Sequence, residues 1–119
     1  MFIKSYKDLL VWQKSIELTI KIYDLTKDFP KTENFGLISQ MQRSAVSIPS
    51  NIAEGKMRLR KKEFRRFLLI AYASGAELET QLEISKRLNL GELTKYKIVE
   101  DRLREIMKIL NKLTSVLKC

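Results

Sequence analysis

The chain has 119 residues, 45% of them apolar, which is one domain's worth of sequence and enough to bury a core without a disulfide or a metal. It carries 23 Lys and Arg against 14 Asp and Glu, a net charge of +9 that suits a polyanionic partner such as nucleic acid. Two prolines and four glycines argue against a loop-rich or all-β fold, and a single cysteine, Cys119, excludes an intramolecular disulfide.

Four helical segments are expected. Ser5, with Asp8 three residues on, is a variant of the capping box and opens a first helix running to about Lys27. Asp28-Phe29-Pro30 stops it. Leu9, Trp12, Ile16, Ile20 and Tyr23 recur at helical spacing and read as its inward stripe. A second set, Leu10, Val11, Leu18, Ile22 and Leu25, widens the apolar surface beyond what one core face needs. Leu10, Leu18 and Ile22 are therefore candidates for a subunit interface.

In the second segment Ile38, Met41, Ala45, Ile48 and Ile52 step by three and four and face a core. The opposite face carries Gln40, Arg43, Ser44, Ser47, Ser50, Asn51 and Glu54. Ser and Asn are indifferent helix formers because their side chains compete for backbone hydrogen bonds. That face should have another use, so Arg43, Ser47, Ser50, Asn51 and Glu54 form a polar seam that is a second candidate interface. Pro49 predicts a kink, with Ser47, Ser50 and Asn51 placed to satisfy the carbonyl it frees. Gly55 is expected to end or loosen the helix.

The charge then changes. Lys56, Arg58, Arg60, Lys61, Lys62, Arg65 and Arg66 follow closely, opposed by Glu63 alone. A third helix is expected from near Arg60 to about Leu88, with Phe64, Phe67, Leu68, Ala71, Gly75, Leu78 and Leu82 on its core stripe. Short side chains from Ala71 to Ala76 allow a neighbouring helix to approach closely. Leu69, Ile70 and Tyr72 point off that stripe and join the candidate subunit interface. Asn89-Leu90-Gly91 suits a left-handed cap, and Thr94 is placed to cap the fourth helix. Tyr96, Val99, Leu103, Ile106, Leu110, Leu113 and Leu117 then repeat every 3.5 residues, as in bundle packing. Short connections favour antiparallel neighbours. The expected fold is all-α: one domain over residues 1–119, an antiparallel up-down-up-down four-helix bundle with its second helix kinked at the proline.

Catalysis is tested by inventory. There is no histidine, so the commonest general base and the Glu-x-x-His pairs of bundle di-metal sites are missing. Glu77, Glu79 and Glu83 are followed by Lys86 and Arg87 and read as a surface-paired face. No glycine-rich phosphate loop or nucleophile motif occurs. The expectation is a protein that is not an enzyme, with no cofactor, metal or small-molecule substrate. No apolar run has the length of a signal peptide or membrane span, so a reducing, cytoplasmic setting without membrane contact is expected.

The basic run is the candidate nucleic-acid site: Lys56, Arg58, Arg60, Lys61, Lys62, Arg65 and Arg66. Such side chains line up along phosphates and displace counterions. No zinc-finger, RRM or helix-turn-helix signature is present, so binding would read backbone and shape more than sequence.

The strings FPKTENFGLISQMQRSAVSIPSNIAEG, KEFRRFL and AELETQLEIS closely resemble the four-helix-bundle proteins of the 23S ribosomal RNA intervening-sequence family. The likeness begins at Tyr6–Trp12 and covers nearly the whole chain, with SIPSNIAEG, Ser47 to Gly55, its most specific part. Arg60 stands where the family usually has a capping Ser, and Ala73 where it usually has Gly. The resemblance implies a homopentameric barrel. The fold is also similar to the accessory protein of diversity-generating retroelements, which works beside a reverse transcriptase and nucleic acid. Two readings stand: a homo-oligomeric module binding structured RNA or DNA, and an adaptor or scaffold that binds another protein.

Overall fold

The structure is a computed structural model that describes residues 5–118; Cys119 lies outside the described residues. Four helices carry the fold: α1 (Leu10–Thr26), α2 (Leu37–Met57), α3 (Lys61–Arg87) and α4 (Leu93–Val116), with 3₁₀ turns at Tyr6–Asp8 and Lys31–Glu33. Each helix packs on its sequence neighbours, and α4 returns against α1. Side-chain pairs fix the antiparallel order. Ser47 meets Ser74 across α2 and α3, Lys86 meets Glu100 across α3 and α4, and Lys14 meets Glu105 across α4 and α1. The expected bundle is therefore present. None of the described helices is long and apolar enough to cross a membrane.

The first helix departs from expectation. Ser5 accepts a hydrogen bond from the Lys7 N–H, but this caps only the 3₁₀ turn. Leu9 is extended, and α1 begins after it at Leu10. Its buried face is Val11, Ser15, Leu18, Ile22, Leu25 and Thr26. Ile20 and Tyr23, expected inside, are 63% and 47% exposed. Two polar members disguise the true stripe. The Ser15 hydroxyl donates to the Val11 carbonyl at 2.6 Å, and the Thr26 hydroxyl to that of Ile22 at 2.9 Å. Each hydroxyl is satisfied on its own helix, so burying it costs little.

The apolar register of α2 holds, with Met41, Ala45, Ile48 and Ile52 fully buried. The helix runs unbroken through Pro49, which is itself buried. Proline has no N–H for the Ala45 carbonyl four residues back. The Thr19 hydroxyl of α1 lies 3.2 Å from that oxygen, and it also bonds the Ser15 carbonyl at 2.8 Å. The compensation thus comes from the neighbouring helix, and the expected compensators act elsewhere. Asn51 donates to the carbonyl and hydroxyl of Ser47, whose hydroxyl pairs with Ser74, while Ser50 is exposed.

Gly55 does not end α2, which continues to Met57. A Cβ at Gly55 would stand 2.6 Å from the Phe67 Cβ and 3.2 Å from the Phe64 carbonyl oxygen. The glycine therefore serves the close crossing of α2 and α3. Three residues, Arg58 to Arg60, then turn the chain, with Leu59 in the left-handed region at φ +64°. For a bulky non-glycine residue that conformation costs about 1–2 kcal/mol.

At the opposite end Asn89 and Gly91 take φ +60° and +74°, as the cap signal predicted. Thr94 does not cap α4: the helix starts at Leu93, and the flanking Glu92 makes no side-chain cap bond. Tyr96 fixes this turn instead. Its hydroxyl lies 2.7 Å from the Leu90 carbonyl and 2.8 Å from the Ser85 hydroxyl. Burial pushes the phenol above its ordinary pKa, so it remains a donor. The remainder of the α4 stripe, from Val99 to Leu110, is buried as the 3.5-residue repeat requires.

Tyr96→Phe keeps the buried ring but strands the Leu90 and Ser85 oxygens. It is expected to lower unfolding free energy by about 1–2 kcal/mol in denaturant titration, with helical circular dichroism unchanged.

Candidate nucleic-acid interface

The antiparallel order brings the C-termini of α2 and α4 and the N-terminus of α3 to one end of the bundle. The predicted basic run lies there. Phe64 and Phe67 pack beside Gly55, and their rings form a shelf for cations. Lys56 Nζ is 5.5 Å from the Phe64 ring centre. The Arg58 and Arg66 guanidiniums are 5.1 and 4.6 Å from the centre of Phe67. Each arginine is also held by a carboxylate three or four residues before it in the chain. Arg58 pairs with Glu54 at 3.0 Å, and Arg66 with Glu63 at 3.2 Å. A guanidinium has five N–H donors, so both arginines keep donors free for a further acceptor.

Arg65 has a different job. Its Nε donates to the Thr114 carbonyl of α4 at 2.9 Å, tying the start of α3 to the last turn of α4. A cation near a helix C-terminus is favourable there. Arg60, Lys61 and Lys62 are exposed and have no carboxylate within 4 Å among the described residues. Arg60 occupies the α3 cap position and makes no side-chain cap bond, as its replacement of a capping residue implied. The positive end of the α3 dipole repels this cluster, whereas the negative ends of α2 and α4 attract it. The cluster is thus less costly than a view of α3 alone suggests.

Lys118 enters the site unforeseen. It shares a hollow of about 510 Å³ with Lys62, Glu63, Arg65, Arg66 and Leu69. A second row was also missed. Lys97, Arg104, Lys108 and Lys112 are exposed along α4, with Asp101 pairing Lys97 at 3.4 Å and Arg104 at 2.9 Å. Spacings of three, four and seven mark this row in the sequence, once the polar face is followed as closely as the apolar one.

The interface candidates divide. Leu18 and Ile22 are 0% exposed and belong to the core, so they are withdrawn as subunit-interface residues. Leu10, Leu69, Ile70 and Tyr72 are exposed. Within the polar seam, Ser47 bridges α2 to Ser74 of α3 inside the subunit, Asn51 bonds Ser47 on its own helix, Glu54 holds Arg58, and Arg43 and Ser50 lie on the surface. Tyr6, Trp12, Ile16, Ile20, Val46 and Pro49 line a hollow of about 340 Å³ between α1 and α2. The side of α1 read as core is one wall of it. Among the described residues no group of three His, Cys, Asp or Glu is placed to hold a metal ion.

Residues 7–112 match the family described as 23S rRNA-intervening sequence protein. The chain is also similar to a crystal structure of a protein of unknown function from the S23 ribosomal protein family of Bacteroides thetaiotaomicron. That structure is 28% identical with a TM-score of 0.81, over 89% of this chain and 96% of the other. No match is found among proteins of curated function.

The hydrogen bond from Arg66 holds the Glu63 carboxyl below its ordinary pKa of 4.5 against the opposing effect of burial, with the Arg58 and Lys62 charges adding to it. The stabilisation this pairing lends is present above the unfolded value and is lost as pH falls through the lower folded one. Carboxyl-carbon NMR should place the Glu63 midpoint below 4.5 in the parent. In Arg66→Gln it should move upward; an unmoved midpoint would deny the pairing.

Proposed function

The chain belongs to the 23S rRNA-intervening sequence protein family, and from that premise we propose a non-enzymatic, basic homo-oligomer that binds structured RNA or DNA through the backbone. The observation that carries this reading is the end of the bundle where Lys56, Arg58 and Arg66 rest on Phe64 and Phe67, while Arg60, Lys61 and Lys62 are exposed with no carboxylate within 4 Å among the described residues. Cation–π contacts at exposed sites are worth about 0.5–1 kcal/mol each. They cost the arginines little donor capacity and restrict their motion, which favours phosphate contact.

Assembly is part of the same proposal. Leu69, Ile70 and Tyr72 on α3, and the apolar hollow between α1 and α2, are surfaces that a further copy would cover. Repetition of the basic end around an oligomer lets weak contacts add. The same hollow favours the second reading, a protein-binding adaptor, should nucleic acid not bind.

The test leaves Arg65 intact because of its bond to Thr114. In Arg58→Gln/Lys61→Gln/Lys62→Gln, light scattering should report the parental oligomer, while low-salt binding of a structured RNA falls at least roughly tenfold. Parental binding should also weaken steeply with salt. A variant that binds like the parent would remove the cluster as the site. Failure of the parent to bind at low salt would favour the adaptor, and a monomeric parent would end the assembly proposal.

A further inference from the structure

We propose that Leu59 is an apolar wedge that enters between bases of the bound nucleic acid. The preferred ligand is then a base-paired stem with an unstacked or easily unstacked step, such as a single-nucleotide bulge. The inference rests on the nucleic-acid reading above and narrows it to a class of structure.

Leu59 is 91% exposed at the tip of the α2–α3 turn, so its side chain gains nothing from burial in the subunit. Its backbone sits at φ +64°, a conformation that glycine or asparagine adopts more easily. Isolated exposed leucines are ordinary on protein surfaces. Leu59 differs because exposure and strain coincide at the centre of the densest positive charge. Arg58 precedes it and Arg60 follows it, and Met57, also exposed, ends α2 beside it.

The tip is also held. Arg58 rests on Phe67 and is bound by Glu54, while Arg60 is in extended conformation where α3 begins. Both sides of the turn are therefore fixed by helices that cross closely at Gly55. An apolar side chain on a rigid tip, with cations on both flanks, has the chemistry of base-step insertion. The cations hold the phosphates, and the apolar group replaces stacking lost between the bases. Unstacking costs least where a base is already unpaired, which sets the preference for a bulge over an uninterrupted duplex.

Two RNA stem-loops that differ only by one unpaired nucleotide test this, with 2-aminopurine placed beside the bulge. The full chain is compared with Leu59→Gly, which relieves the backbone, and Leu59→Gln, which keeps length but removes apolarity. The parent is expected to bind the bulged stem roughly tenfold more tightly than the paired one and to raise 2-aminopurine fluorescence. Both variants should bind the paired stem like the parent and lose most of that preference and the fluorescence change. Leu59→Gly should melt no lower than the parent, which separates lost insertion from misfolding. Equal affinity of the parent for the two stems, or preference retained in both variants, overturns the wedge while leaving backbone binding intact. Leu59-dependent binding to mixed anionic and zwitterionic vesicles, with no discrimination between the stems, would assign the tip to a membrane surface and also overturn it. No binding of either stem by the parent would instead overturn the nucleic-acid reading on which the wedge rests.

Discussion

The absence of a side chain at Gly55 sets how closely α2 and α3 cross at the basic end. A methyl group there would overlap the Cβ of Phe67, an atom too near its backbone to swing aside. Overpacking of this kind costs about 1–3 kcal/mol because the helices themselves must move apart. The crossing has a consequence beyond packing. It brings Phe67 of α3 under the guanidinium of Arg58, the first residue after α2, so one ring supports cations from the turn and from α3. The glycine, the ring and the arginines form a chain of cause from backbone geometry to surface charge.

The same bundle tolerates polar groups inside it by local satisfaction. Ser15 and Thr26 bond carbonyls on their own helix, Ser47 pairs with Ser74, and Tyr96 closes the α3–α4 turn. Pro49 fits because Thr19 approaches the carbonyl it leaves free. Each such bond contributes about 0.5–1.5 kcal/mol net, whereas leaving its partner buried and unmade would cost about 1–3 kcal/mol. These residues therefore help fix which helix faces meet.

Legibility follows from these facts. The stripes of α2, α3 and α4 were readable because apolar residues recur in them almost without interruption, from Met41 to Ile52 and from Val99 to Leu110. The stripe of α1 was not, because Ser15 and Thr26 occupy core positions while Ile20 and Tyr23 lie outside. For the same reason Leu18 and Ile22, which the structure buries, read in the sequence as interface residues. The location of the basic run was plain in the sequence. Its division of labour was not: a sequence does not show that Arg65 faces Thr114, that Arg58 and Arg66 share one ring, or that Lys118 returns to the same end. Those facts depend on which helices are antiparallel and on how closely they cross.

The central claim is that the Gly55 crossing positions the cations proposed to bind nucleic acid. Gly55→Ala tests it most directly, because it changes no charge and raises intrinsic helix propensity by about 1 kcal/mol. Low-salt affinity for a structured RNA should be measured alongside thermal unfolding. The account predicts that the variant stays helical, melts below the parent despite the better helix former, and binds more weakly. A variant that melts lower yet binds with parental affinity would show that the cations act independently of the crossing, and would contradict the claim.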